Sequence, residues 1–273
     1  MKIIIENGGS KLDWLILGEN HIYSSNGINI LDNDDKVLLQ IKSIFHPALS
    51  SEEHIEIDFY TAGLTNISKH RLETLFSQSF NINSINIFSD ILAASRALFK
   101  DQHGIACILG TGSNCAYFDG LNNHIITYST GYLLGDEGSG YDLGRSFLKL
   151  YFQDNMPLEM KTIFENHTQM SRSELLGSIY NSQNPKFYIA SFSRFLKDYD
   201  KNSFIEKIIT DSLLSFLENH PFKYTGFNKL KFGFVGSVAF NFQSHLHKIM
   251  KKMNLDYIVL QKPIKQLAKY YLD

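Results

Sequence analysis

The sequence predicts an α/β protein built twice to one plan, and three observations carry that reading. The run Lys2–Ile5, rich in β-branched residues, ends in a small-residue stretch, Glu6-Asn7-Gly8-Gly9-Ser10-Lys11-Leu12-Asp13. From Gly104 the same order begins again: the apolar run Ile105–Leu109 breaks into Gly110-Thr111-Gly112-Ser113-Asn114. Between and after these points, short apolar runs alternate with segments whose apolar residues recur at helical spacing. The repeat is one of topology, not of residue identity. It predicts two similar halves whose glycine turns face each other across a cleft, where small-ligand sites are preferentially found.

In order, Lys2–Ile5 reads as a strand, Trp14–Leu17 as a second and His21–Ser24 as a third. Asn26–Asn33 reads as a polar loop. Val37, Leu38, Ile41, Ile44 and Phe45 mark a helix. Ile55–Tyr60 is a strand stopped by Thr61-Ala62-Gly63, and Ser68–Phe80 is helical through Leu72, Leu75 and Phe76. Ile85–Phe88 is a short strand, after which Ser89, a candidate N-cap, and Asp90 open a helix over Ile91–Lys100. In the second half, Ile105–Leu109, Cys115–Phe118 and Ile125–Tyr128 are strands, and Tyr141–Phe152 is a helix. A helical insert follows over residues 158–219. Strands return at Phe232–Val235 and Tyr257–Leu260, each followed by a helix, over Val238–Met253 and Ile264–Tyr271. Two domains result: residues 1–101, with 263–273 docking back on them, and residues 102–262.

The chemistry concentrates between Gly104 and Gly144. Glycines let the backbone reach φ > 0 and let a ligand approach closely. A Thr, a Ser and bare N–H groups at Gly110–Asn114 are the donors a phosphate needs. Gly135-Asp136-Glu137-Gly138-Ser139-Gly140 then sets a carboxylate pair between glycines, ahead of a helix. Simpler readings stay open at each point. Gly-Thr-Gly-Ser also makes an ordinary hairpin turn, and Asp-Glu before a helix also favours the positive N-terminal end of that helix. Asp90 could be a plain helix cap, Gly236-Ser237 a plain strand-to-helix connection, and Asn29 no more than loop polarity.

Composition narrows the classes. The 273 residues are 44% hydrophobic and 20% charged, which is ordinary globular composition and suits two modest domains. A formal net charge of −2 gives no case for nucleic acid, whose binding rests on clustered Lys and Arg. Two cysteines, Cys107 and Cys115, form no disulfide framework or metal spacing. The start of the chain is too short an apolar run for a signal peptide, and no run suffices to span a membrane. A reducing, cytoplasmic location is therefore expected.

Glu6–Lys11, Leu109–Asn114, Gly135–Ser139 and Gly236-Ser237 together are far more specific than any one of them. In their order and spacing, over nearly the whole length, the chain resembles the N-acetylglucosamine kinase family, in the BadF/BadG/BcrA/BcrD ATPase grouping of the actin–hexokinase–Hsp70 superfamily. The resemblance implies two RNase H-like domains, with ATP and Mg²⁺ between them, and phosphorylation of an amino-sugar hydroxyl. It makes Gly8, Gly9, Ser10 and Lys11 the first phosphate loop, with Glu6 helping to hold the metal. Gly110, Thr111, Gly112 and Ser113 become the second phosphate loop, and Gly236-Ser237 the adenosine-side motif. Asp90 falls on the catalytic base, and Asn29, Thr130, Gly131 and Asp136 on the sugar-binding positions. A side chain at Gly112 is then expected to weaken nucleotide binding and to leave sugar affinity nearly unchanged.

The sequence departs from the family pattern at Leu12, which replaces a hydroxyl residue, while Glu6 and Ser10 are conservative substitutes. The partners implied are a small sugar and ATP, with no nucleic acid and no membrane, and a homodimer is the oligomer to test. Rival readings are a kinase for another sugar such as glucosamine, a benzoyl-CoA-reductase-type ATPase activator holding an iron–sulfur cluster, and a silent sugar sensor.

Overall fold

The computed structural model describes residues 1–49 and 54–272. The chain divides into two compact units, each described here by itself: unit 1 is 1–102, 120–123 and 262–273, and unit 2 is 103–119 and 124–261.

Unit 1 holds the strands β1 (Lys2–Asn7), β2 (Lys11–Ile16), β3 (Tyr23–Asn26), β4 (Ile55–Thr61) and β5 (Ile82–Ser89), and the helices α1 (Asp34–Leu49), α2 (Asn66–Ser79) and α3 (Asp90–Phe99). Its sheet runs β3-β2-β1-β4-β5, antiparallel among the first three and parallel from β1 to β4 to β5. Alternate strand residues Ile3, Ile5, Ile57 and Phe59 pack with Val37, Ile41 and Phe45 of α1 and Leu72 and Phe76 of α2, as the two-residue period of a strand requires. Tyr60 serves the opposite face, where its hydroxyl meets Tyr271 at 2.5 Å and accepts from Arg96 of α3 at 2.6 Å.

Unit 2 repeats the plan. It holds β6 (Gly104–Leu109), β7 (Ser113–Phe118), β8 (Asn123–Ile125), β9 (Phe232–Val235) and β10 (Tyr257–Leu260), in the order β10-β9-β6-β7-β8. The first strand of each repeat is therefore central, with its hairpin partners on one side and its parallel neighbours on the other. Around this sheet lie α4 (Gly131–Leu134), α5 (Gly140–Phe152), the inserted helices α6 (Leu158–Thr168), α7 (Arg172–Tyr180), α8 (Pro185–Ser191), α9 (Ser193–Asp198) and α10 (Ser203–Asn219), then α11 (Ser237–Asn241) and α12 (Gln243–Lys252). The core joins Ile105, Cys107 and Leu109 to Phe147 of α5, Leu213 and Phe216 of α10 and Phe234 of β9. The chain then returns to unit 1 as α13 (Ile264–Tyr270), whose packing there is chiefly on α3.

Among the boundaries that differ from the sequence reading, four bear on the site or the core. β1 runs on to Asn7, so Glu6 is a strand residue opposite Asp13, and the turn itself is closed by Gly8 N–H on the Lys11 carbonyl at 3.0 Å. β3 begins at Tyr23, whose ring lies on Trp14 at 4.0 Å and fixes the register. β8 ends at Ile125, and just beyond it the Thr127 hydroxyl meets His220 Nδ1 at 2.6 Å. The helix expected over Val238–Met253 is broken at Phe242, which turns into the core.

Candidate functional site

In unit 1 the acidic residues gather where β1 and β5 end. Glu6 lies in β1 across from Asp13 in β2. Asp13 is buried, pairs with Lys11 Nζ at 2.9 Å and accepts from the Ser24 hydroxyl. Asp90 is the first residue of α3, and its Oδ1 accepts from the Ile91 amide at 2.8 Å. Ser89 holds the N-cap position, but its side chain makes no capping bond, contrary to the expected cap. Burial, then Asp13, then Asp90 push the Glu6 carboxyl up to about 7, with Lys11 and Lys262 pulling the other way. Three acidic side chains therefore crowd one another, and a bound cation would relieve that crowding.

The rest of the first loop is simple backbone. A Cβ on Gly8 would touch the Lys11 carbonyl at 3.7 Å, Gly9 takes φ +79° with open space beside it, and a side chain at Gly27 would collide with the Gly9 carbonyl. Ser10 is exposed. Leu12, the departure from the family pattern, is fully buried in the core of unit 1. Asn29 is exposed, and its amide turns the loop locally through Asp32 at 3.1 Å and the Leu31 N–H at 3.2 Å. The loop around it is anchored by neighbours the sequence reading passed over. Asn7, buried, donates to the Ile28 carbonyl at 2.8 Å and accepts from the Ile28 amide at 2.9 Å, and Ile28 and Ile30 plug the core. The stretch expected to be a polar loop is thus held from both sides.

In unit 2 the glycine turn Gly110–Ser113 spends two of its amides nearby. Gly110 N–H donates to the Gly112 carbonyl at 2.9 Å, and Ser113 N–H donates to Asp136 Oδ1 at 3.1 Å. The Thr111 carbonyl receives the Tyr141 amide at the start of α5 at 3.2 Å. Asp136 itself is buried and left-handed, with φ +61°, a conformation non-glycine residues enter only when held. Lys186 of α8 holds its other oxygen, Oδ2, at 2.9 Å. A Cβ on Gly112 would lie 2.8 Å from Asp136 Oδ2 and 3.0 Å from Lys186 Nζ. A side chain at Gly112 would therefore press on this ion pair as well as on the turn.

Thr130 precedes α4 and makes no capping bond, and a side chain on Gly135 would land on its hydroxyl. Gly131 has φ +69°. Beside Asp136, the Glu137 carboxylate meets His220 Nε2 at 2.9 Å. Burial alone would raise the Glu137 carboxyl, but the His220 hydrogen bond and the nearby Arg145 charge hold it below the usual carboxylate range. Ser113, Thr127, Thr130, Asp136, Phe216 and His220 line a narrow cavity here, about 10 Å³ in volume, close to one water. Gly236 has φ +109°, and a side chain there would strike the Leu109 carbonyl, so the strand-to-helix connection into Ser237 passes tightly over β6.

Lys186, His220 and Asp13 are the polar residues that sequence reasoning missed. Lys186 sits in the insert and His220 just past its end, far along the chain from the motifs they touch, and neither carries a spacing signal. The Glu6–Asp13 pairing follows from the hairpin register and is readable once the turn is placed at Gly8–Ser10. Among the described residues no three His, Cys, Asp or Glu side chains are grouped to hold a metal ion by themselves. Mg²⁺ usually takes one or two carboxylates plus substrate phosphates, so the crowded carboxylates of unit 1 suit a phosphate-bound Mg²⁺. Cys107 and Cys115 face each other across β6 and β7 as buried free thiols. Burial raises both, with Cys115 pushed up to about 12, which suits inert core thiols, not cluster ligands.

Over 99% of this chain and 98% of the other, the sequence is 31% identical to the putative N-acetylglucosamine kinase of Porphyromonas gingivalis, and the two structures superpose with a TM-score of 0.92. The chain belongs to the N-acetylglucosamine kinase family. A curated relative from Clostridium acetobutylicum, named N-acetylmuramic acid/N-acetylglucosamine kinase, is 28% identical over 222 residues, 75% of this chain and 72% of its own length. A ROK-family glucokinase from Streptomyces griseus, solved with glucose and AMPPNP, is 13% identical with a TM-score of 0.57 over 99% of this chain and 98% of that one. That likeness concerns the fold alone, the two-unit α/β fold of actin-like ATPases. No family model matches the chain. Among the described residues no helix is long and apolar enough to cross a membrane.

Proposed function

We propose that this member of the N-acetylglucosamine kinase family is an ATP-dependent sugar kinase that phosphorylates a hydroxyl of N-acetylglucosamine. The observation that carries the reading is Asp136: buried, left-handed, and fastened to the glycine turn through Ser113. A carboxylate held so rigidly beside a turn of this kind suits hydrogen bonding to sugar hydroxyls next to a bound phosphate. In this reading Gly8–Lys11 and Gly110–Ser113 contact the nucleotide phosphates, and Gly236-Ser237 the adenosine. Asn29, Thr130, Gly131 and Asp136 bind the sugar.

Phosphoryl transfer asks chiefly for positioning and charge stabilisation. The sugar oxygen attacks the γ-phosphorus, the bond to the bridging oxygen breaks, ADP leaves with the electron pair, and the hydroxyl proton passes to Asp90. When bound, Mg²⁺ supplies neutralisation of the polyphosphate, with Glu6 helping to hold it. Membership of the BadF/BadG/BcrA/BcrD grouping, a cytoplasmic location and a homodimer complete the proposal, and light scattering tests the last.

An acceptor screen with ATP and Mg²⁺ tests the function, comparing kcat/KM for N-acetylglucosamine, glucosamine, glucose and N-acetylmuramic acid. The last acceptor is included because the Clostridium relative's name couples it to N-acetylglucosamine. N-acetylglucosamine is expected to lead; if glucose or glucosamine leads, the named substrate falls while the kinase survives. Asp90→Asn is expected to lower kcat by ~10²-fold or more with the melting temperature unchanged, since an asparagine oxygen can still accept from the Ile91 amide. A variant keeping about a tenth of kcat or more, well short of that loss, removes Asp90 from the role of base.

A further inference from the structure

We propose that Lys186, in the helical insert, is a phosphate-contacting cation that neutralises the group being transferred. This rests on the kinase reading above and adds a residue to it. The first ground is place. Lys186 Nζ would lie 3.0 Å from a Cβ on Gly112 and lies 2.9 Å from Asp136 Oδ2. The ammonium thus sits over the glycine turn assigned to phosphate, next to the carboxylate assigned to sugar, where donor and acceptor of a phosphoryl group must meet.

The second ground is that part of the turn's own donor set is already engaged. Of the turn's amides, Gly110 N–H is spent on the Gly112 carbonyl and Ser113 N–H on Asp136. A phosphate arriving at this turn gains from a further donor that also carries positive charge. Lys186 brings up to three N–H bonds on one charge.

The third ground is that Lys186 is presented with care. α8 packs along α5, and at Gly144 the two come so close that any Cβ would fall on the Ile189 carbonyl. Asn184 caps α8 through the Phe187 amide at 3.4 Å, and the Lys186 ammonium lies 5.5 Å from the centre of the Tyr132 ring. With no phosphate present the ammonium is balanced by Asp136. When the γ-phosphate enters, the ammonium exchanges carboxylate for phosphate oxygens and follows the charge that spreads over them, while Asp136 turns to the sugar hydroxyls. No proton moves to or from Lys186.

The test compares wild type, Lys186→Met and Lys186→Arg as full-length proteins, measuring kcat with ATP, Mg²⁺ and N-acetylglucosamine, and sugar affinity by calorimetry without nucleotide. A charge on the transferred group is felt mainly in the transition state, as for an oxyanion-hole donor, so Lys186→Met should lower kcat by ~10²-fold or more. Sugar affinity should stay within about threefold, the modest change expected of a group that does not bind the ground-state sugar. Lys186→Arg, which keeps the charge, should recover at least about a tenth of wild-type kcat. A variant with weakened sugar binding and wild-type kcat at saturation overturns the proposal and leaves Lys186 as a mere brace for Asp136. Unchanged kinetics overturn it as well. If the wild type itself turns over no ATP with any amino sugar, the kinase reading fails first, and the phosphate role with it.

Discussion

Glu6 shows how a single side chain can report on a site before any ligand is added. Its folded pKa stands near 7 against an ordinary 4.5, raised by burial and by Asp13 and Asp90. A carboxyl whose pKa is raised on folding binds its proton more tightly in the folded chain. The contribution of Glu6 to stability is therefore fully present below about pH 4.5 and is lost as pH climbs through about 7, where the folded chain must carry the charge. Glu6→Gln should remove that loss. Relative to wild type, its stability should rise by an amount that grows between pH 5 and pH 8, reaching on the order of 1–3 kcal/mol once solvent screening is allowed for. Thermal melts across that range check it, and a stability difference independent of pH overturns it. Adding Mg²⁺ with ADP should narrow the same gap, because the cation neutralises what glutamine removes.

At the scale of elements, most of the architecture is legible in the sequence because it is written locally. β-Branched runs, helical spacing and the glycine turns mark nearly every strand and helix. The repeated order is what makes the two sheets predictable as copies. What escapes is set by contacts distant along the chain. Thr127 meets His220 just past the end of β8, and the side chain over the second glycine turn is Lys186, carried by a helix with no motif of its own. The polar appearance of residues 26–33 hides a loop clamped by Asn7, a residue that reads as turn filler until its hydrogen bonds are traced. Gly144 offers the clearest test of an element-scale contact. Gly144→Ala improves helix propensity in isolation, yet its methyl group must displace the Ile189 carbonyl of α8. Overpacking of this kind typically costs about 1–3 kcal/mol. The melting temperature should fall, and because α8 carries Lys186, kcat should fall with it. A neutral or stabilised variant would show that α8 yields freely.

Across the whole molecule, the two units carry separate cores, one centred on Ile5, Phe59 and Phe76 and the other on Leu109, Phe147 and Phe216. Unit 1 is not one continuous stretch of chain. It is closed by α13, where Tyr271 reaches Tyr60 and the ring of Tyr270 lies 5.1 Å from the Arg96 guanidinium. Arg96, Ile264 and Leu267 take part in a packed layer that residues 1–102 cannot complete alone. A fragment ending at residue 102 should therefore be poorly folded or aggregated, and adding residues 262–272 through a flexible linker should restore a cooperative melt. A well-dispersed amide spectrum from the short fragment would refute this.

That discontinuity also bears on how the protein is made. On the ribosome, everything unit 2 needs has emerged once residue 261 is clear of the exit tunnel, whereas the unit translated first still waits for α13. The earlier half of the chain therefore matures later. Until it does, α3 bears an apolar flank that α13 will cover. Lesions in the last dozen residues described should then act on the unit that begins the chain.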